Sequence, residues 1–231
     1  MAARRSRSAI GSRSPRSASA ALPPAAFPDP DSRAGKFLQA AVEVFLEKGY
    51  GNARLSDIVA RSGGSLSTLY QLYGGKKGLA RAIMEQGIGG FARSLEILDD
   101  PRLTPAQALP VAAVGMLEEI LTPRHIVIHR IIIAEGVGLP DLRDWFFEHG
   151  VAPPIRILAG YFSRQKRAGN LLMGSPTDTA NRFYMMVFGD AIIRSTAGTL
   201  DGASLAQTLG DTRQAVALLV RGMLPPGQNA A

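Results

Sequence analysis

Three features of this 231-residue sequence predict an all-α protein. Apolar residues recur at helical period from residue 31 onward, prolines stand where helices would start, and no segment alternates apolar with polar residues between hairpin turns. The periodic segments fall into a short cluster over residues 31–91 and a longer run over 92–231, behind a leading segment, 1–30, of different composition.

That leading segment is built of Arg, Ser, Ala and Pro, and Pro15, Pro23, Pro24, Pro28 and Pro30 prevent a regular helix. It is expected to be disordered. Arg4, Arg5, Arg7, Arg13 and Arg16 face a single acid, Asp29, so it carries +4 of the formal net charge of +7. A solvated tail, an arm on nucleic-acid phosphates and an organelle transit peptide all fit that composition. The basic balance points to a polyanion, either nucleic acid or an anionic membrane surface. The sequence holds no cysteine, which excludes a disulfide scaffold and any thiolate metal or nucleophile site. A reducing, cytoplasmic setting fits. No apolar run reaches the roughly 18 to 20 residues of a membrane span, so no membrane partner is expected.

Each helix has a local reason. From Asp31, Phe37, Ala41, Val44 and Phe45 form one stripe with Lys36, Glu43, Glu47 and Lys48 off it, and Gly49 closes the segment. A second helix, Leu55 to Ser62, buries Leu55, Ile58 and Val59, with Asn52 expected as its cap. Gly63 and Gly64 make a turn. Ser65 caps a third helix in which Leu69 and Leu72 should face inward while Ser67, Thr68, Tyr70 and Gln71 face outward. A fourth helix begins near Lys76 and carries Leu79, Ile83, Met84, Ile88, Phe91, Leu95 and Leu98 to a stop at Asp99, Asp100 and Pro101. Its Gly87, Gly89 and Gly90 weaken the middle, each by about 1 kcal/mol relative to alanine, and favour a bend or a close helix approach. Beyond it, prolines punctuate helices expected over 105–121, 124–136, 139–149, 153–168, 176–198 and 204–222. Pro110 is either a late start or a kink.

Residues 54–73, RLSDIVARSGGSLSTLYQLY, thus read as helix, glycine turn, helix, the form of a helix-turn-helix DNA reader. The surrounding signature is more specific. Phe45 and Gly49-Tyr50, then Asp57-Ile58, Gly63, Ser65, Thr68-Leu69-Tyr70, Tyr73, Lys76 and Leu79 resemble the DNA-binding domain of TetR-type transcriptional regulators. The later RIIIAEGVGLPDLRDWFFEHG, followed by helices holding Gly169, Phe183 and Gly189, is similar to the C-terminal domain of the AefR-like branch. The resemblance implies a DNA-binding domain over 31–91 and a helical ligand-binding and dimerisation domain over 92–231. It also implies a homodimer joined through helices near 153–168 and 176–198. Its third helices would enter major grooves of double-stranded operator DNA about 34 to 36 Å apart. Such proteins usually repress transcription and leave DNA when a small molecule enters the body.

The sequence departs from the family pattern at Ala53 and Arg54, where a hydroxyl is common, at Gly64 in the turn, and at Leu66 and Ser67. Gly74 and Gly75 replace a firmer cap for the fourth helix. Within the reader, Gln71 suits a bidentate contact to adenine, Ser67 and Thr68 suit base edges or phosphates, and Leu66 suits a thymine methyl. Arg54, Ser65, Tyr70, Tyr73 and Lys76 are expected at phosphates, the alternative being that both tyrosines simply pack the three-helix core with their hydroxyls wet. The resemblance puts the ligand pocket between the fourth helix and the body, near Met84, Ile88, Met116, Trp145 and Phe183, residues that otherwise read as plain core.

His125 and His129, four apart, share a helix face as metal ligands do, but no third ligand stands beside them and ordinary helical histidines are the plainer reading. No metal and no cofactor are expected. No phosphate loop, G-x-S-x-G elbow or H-E-x-x-H is present, and Asp99-Asp100 and Glu118-Glu119 diverge by about 100° on a helix, so no catalytic residue is assigned. A ligand-binding or protein-interaction module that kept this fold without regulating DNA is the alternative.

Overall fold

The computed structural model describes residues 28–200 and 202–226, so the leading tail lies almost wholly outside the described residues. Within them the chain forms ten α-helices and no strand. The first four are α1 (Arg33–Asn52), α2 (Leu55–Ser62), α3 (Leu66–Tyr73) and α4 (Lys76–Ser94). The body adds α5 (Pro105–Ile120), α6 (Pro123–Glu135), α7 (Pro140–Phe146), α8 (Ala152–Arg167), α9 (Pro176–Ala197) and α10 (Gly202–Arg221). A π-helical turn, Phe147–Val151, joins α7 to α8 without a break.

Local chemistry accounts for most boundaries. Ser32, Ser65, Thr122 and Ser175 each accept a first-turn amide through the side-chain oxygen, and α5 to α9 all carry proline in the first turn. Pro110 lies inside α5, so the helix starts at Pro105 instead. Gly49 adopts φ 73° and ψ 157°, which breaks α1 and leaves its last three residues as a separate turn.

Two expectations are corrected. Asn52 does not cap α2; the first residue before that helix is Arg54, and its amide donates to the Asp57 carboxylate at 3.3 Å. An acid three residues into the helix reaches back and satisfies the amide of Arg54, while neither Ala53 nor Arg54 has a side-chain acceptor for the first-turn amides. Leu72 does not face inward and is 47% exposed. It lies about 60° around the helix from Leu69, which is fully buried and fills the inward position of a two-turn helix.

Two hydrophobic cores form. The first joins Phe37, Phe45, Ile58, Leu69, Leu79 and Ile83 of the N-terminal helices to Val127, Ile128 and Ile131 of α6 and Leu142 of α7. The second is the body's own, with Leu109, Met116, Leu158, Tyr161, Phe162, Phe183 and Phe188 at its centre. The head is therefore built onto α6 and α7. Arg130 of α6 ties it further, donating to the Leu46 carbonyl of α1 at 3.2 Å and to the Thr196 carbonyl of α9 at 3.1 Å.

Candidate nucleic-acid interface and the cavity behind it

The face of α3 opposite Leu69 is open to solvent. Leu66, Ser67, Tyr70 and Gln71 are exposed, while Thr68 is half-buried, with its hydroxyl 2.8 Å from Ser65 Oγ. Ser65 also accepts the Thr68 amide at 3.1 Å, so its oxygen is engaged in capping. The turn before α3 is tight for a steric reason. A Cβ on Gly64 would overlap the ring of Phe37, which has no exposed surface. Here the large side chain sits in α1 and the turn supplies the space.

The residues expected at phosphates occupy three kinds of place. Arg54 and Tyr70 are exposed at the two ends of the reader, and neither side chain is held by a hydrogen bond or ion pair among the described residues. Tyr73 is half-buried and donates its hydroxyl to the Ala34 carbonyl at 2.8 Å, which ties α3 to the start of α1. Lys76 is held more firmly. Its ammonium donates to the carbonyls of Tyr50, Gly51 and Ala53 at 2.8, 3.1 and 3.1 Å, and it sits 4.6 Å from the Tyr50 ring centre. All three protons are engaged, so Lys76 straps the turn after Gly49 to the start of α4.

Three other cations of the head are paired with acids. Arg61 forks onto Glu47 at 2.7 and 2.8 Å, Lys48 meets Asp57 at 2.9 Å and Lys77 meets Asp141 at 2.8 Å. The Glu47 carboxyl is held below its ordinary range by the Arg61 hydrogen bond, and the Asp57 carboxyl by that of Lys48.

Behind the reader, α4 meets the body at its glycines. A Cβ on Gly87 would come within 2.9 Å of Ile128 and 3.0 Å of His125 Nε2, and one on Gly90 would overlap the Glu119 carboxylate. Of the two sequence alternatives the close approach holds at these positions. A small cavity lies here, with about 20 Å³ open to water centres, enough for one water. Met84 and Ile88 line it, as the sequence reading expects, together with Phe91, Ile128, Phe146 and Tyr184. Met116 and Phe183 instead lie fully buried in the body core. Trp145 stacks on His149 with ring centres 4.7 Å apart, and the Arg81 guanidinium lies over its ring at 4.6 Å. A larger hollow of about 450 Å³ opens beside α1, but it is a groove edged by Asp31, Lys36 and Glu43.

The titratable side chains lining the small cavity are Tyr184 and the pair His125 and His129, which are 6% and 8% exposed with ring centres 6.3 Å apart. Burial pushes the imidazole of His125 down to about 3, helped by the charge of its neighbours His129 and Arg124, and burial alone pushes His129 down to about 4. Both rings are neutral at neutral pH. His125 Nδ1 lies 3.0 Å from Thr122 Oγ1 and 3.6 Å from the Glu119 carboxylate, whereas His129 Nδ1 is buried with no partner. No group of three or more metal-ligating side chains occurs among the described residues. The sequence paired these histidines by spacing and gave no sign that they line a cavity, because their burial depends on glycines some 40 residues away in α4.

Comparison with known proteins supplies the context. Residues 37–83 match the family model for bacterial regulatory proteins of the tetR family, and residues 107–222 match the model for the C-terminal domain of AefR-like transcriptional repressors. No curated protein sequence matches. Among solved structures, a TetR-family regulator from Mesorhizobium loti superposes with a TM-score of 0.70 at 18% identity, covering 84% of this chain and 97% of that one. A TetR-family regulator from Pseudomonas syringae pv. tomato gives 0.65 at 15% identity over 84% and 99%. The flavonoid-responsive regulator FrrA gives 0.59 at 24% identity over 84% and 98%. At these identities the structures share the fold.

Proposed function

Because the chain belongs to the tetR family of bacterial regulatory proteins, with an AefR-like C-terminal domain, we propose that it is a sequence-specific repressor. It acts in the cytoplasm as a homodimer and leaves its operator when a small molecule occupies the body. One observation carries the DNA reading: a two-turn helix anchored by Leu69 presents Leu66, Ser67, Tyr70 and Gln71 outward with no partner element over them. Such a face fits the major groove, where base edges specify and flanking phosphate contacts orient.

Pairing of two readers is supported by the outer face of α9. Met185 and Ile193 are 64% and 67% exposed, and Gly189 between them meets nothing within 4 Å. On α8, packed beside it, Ile157 is also exposed. An apolar stripe with a glycine at its centre lets a second copy approach closely. Release by a ligand is supported by the cavity under α4, the helix that links reader to body, and by regulators of the same fold that are named for flavonoids and γ-butyrolactone. The ligand must bind the form with lower DNA affinity more tightly, typically by about 1 to 3 kcal/mol.

The test is a gel shift over a salt series with DNA from upstream of the protein's own gene. Retention of one fragment over scrambled DNA at roughly physiological salt is expected. Replacing Tyr70 and Gln71 together by alanine should abolish that preference while the dimer persists in sizing chromatography. Binding indifferent to sequence would refute the operator reading and favour a ligand-binding or interaction module on this fold.

A further inference from the structure

Holding a duplex takes cations for its phosphates, and the folded head has few to spare. Residues 31–91 hold eight Lys and Arg against five Asp and Glu. Lys48, Arg61 and Lys77 are paired with acids, and Arg81 adds a fourth pair, with Glu85 at 3.0 Å. The Lys76 ammonium is engaged by three carbonyls, and Arg33 donates to the Gly63 carbonyl at 3.0 Å. Among the described residues of the head, the side chains of Lys36 and Arg54 are the cations left without a hydrogen bond or ion pair. Two heads would then bring about four free cations, fewer than the roughly 6 to 10 phosphate contacts of a strongly salt-dependent reader.

Further charge stands immediately before α1. Arg4, Arg5, Arg7, Arg13 and Arg16 precede the described residues, and residues 1–27 contain no acid to offset them. The structure fixes where that segment joins the head. The Ser32 amide donates to the Asp29 carbonyl at 2.9 Å, and Ser32 Oγ accepts the Gly35 amide at 3.0 Å, so the entry to α1 is held at its first turn. Arg33 then reaches the Gly63 carbonyl, in the turn before α3, while Tyr73, the last residue of α3, donates to the Ala34 carbonyl at 2.8 Å. The junction is tied to the reader at both ends of its recognition helix.

We propose that residues 1–27 are a basic arm on double-stranded DNA, their arginines taking phosphates beside the major groove that α3 enters. The place of docking rests on the operator reading above; the charge argument holds for any duplex. The 12 residues from Arg16 to Pro28 span at most about 40 Å, a little more than the roughly 34 to 36 Å of one duplex turn. Arg13 and Arg16 therefore reach the phosphates that flank the adjoining minor groove. Tethering at the reader makes each of these contacts intramolecular once α3 has docked.

The experiment compares the full-length chain with a full-length variant carrying Arg4→Ser, Arg5→Ser, Arg7→Ser, Arg13→Ser and Arg16→Ser. Both are titrated, over a salt series, onto the upstream fragment and onto a scrambled duplex of equal length. On both duplexes the slope of log affinity against log salt should shrink in the variant by about 0.9 for each arginine that meets a phosphate, up to about 4.5 per chain. Arg213→Ser, which removes one exposed charge from α10 in the body, should leave the slope unchanged. Lysine at the same five positions keeps the charge and should keep the slope; loss of slope there too would overturn the assignment. A change smaller than about 0.9, one phosphate's worth, would also overturn it. So would capture of the full-length chain by phosphatidylserine vesicles in preference to scrambled DNA at the same salt. A slope that shrinks as expected, with no preference for the upstream fragment, refutes the operator reading and spares the arm. A preference kept by both chains with equal slopes does the reverse.

Discussion

Lowering the pH from 7 to 5 should destabilise this protein through two side chains. Buried His125 and His129 remain neutral in the fold down to about 3 and about 4, whereas in the unfolded chain they take up protons near the ordinary 6.5. Between pH 6.5 and 5 the unfolded state thus binds more protons than the native one, and stability falls as pH falls. Each pH unit below 6.5 costs about 1.4 kcal/mol per histidine, so the pair should cost roughly 4 kcal/mol at pH 5 relative to pH 7. That is a large share of the roughly 5 to 15 kcal/mol that holds a typical domain together. The carboxylates do not blur this window. Asp57, Asp100 and Asp141 are each held below their ordinary 3.8 by a neighbouring cation, Lys48, Arg102 and Lys77 respectively, so their contribution is lost only at lower pH. The assay is urea unfolding at fixed protein concentration across pH 5 to 7, comparing the wild type with His125→Phe/His129→Phe. The wild type should lose stability steeply and the double variant should stay nearly level. A wild-type profile that is flat over this range, or an unchanged slope in the variant, would refute the view that both rings are buried and neutral.

Three further outcomes are expected. Gly64→Ala should destabilise the head by about 1 to 3 kcal/mol, because the new methyl overlaps Phe37 and overpacking costs that much; Phe37→Leu in the same chain should recover part of the loss in thermal melts. Lys76→Met leaves three carbonyls without their donor, so the melting temperature should fall with about 1 to 3 kcal/mol of lost stability. The salt slope of DNA binding should then change by less than the roughly one unit that loss of a phosphate contact produces; a full-unit change with normal stability would make Lys76 a DNA contact instead. Arg130→Met cuts the link from Leu46 in α1 to Thr196 in α9 and should lower the ligand's effect on DNA affinity about five-fold or more, measured by gel shifts with and without effector; unchanged coupling would show that Arg130 only supports packing.

The expectations that held from sequence were those set by neighbours along the chain. Ser65 as cap, the burial of Leu69 and the outward set on α3 follow from helical period over a few residues, and the body helices start within a residue or two of their prolines. The departure at Gly64 was visible but not its reason, which is a Phe37 ring arriving from another helix. Leu72 was misjudged because period alone gives a face and not what covers it. The pocket expectation named Met84 and Ile88 on the cavity wall, while Met116 and Phe183 belong to the core beneath it. All four are large apolar residues on amphipathic helices, and nothing local separates core from cavity.

The sequence by itself determined that this chain is helical, where most helices begin, and which short helix faces outward, because those properties rest on φ/ψ preference, capping and period within a turn or two. Only the tertiary structure decided what the polar side chains do. Lys76 became a strap when three carbonyls of a broken helix end converged on it. His125 and His129 became neutral groups in a cavity when glycines of α4 let that helix close over α6. A charge or a lone pair takes its role from the dielectric and the partners around it, and packing between distant segments sets both.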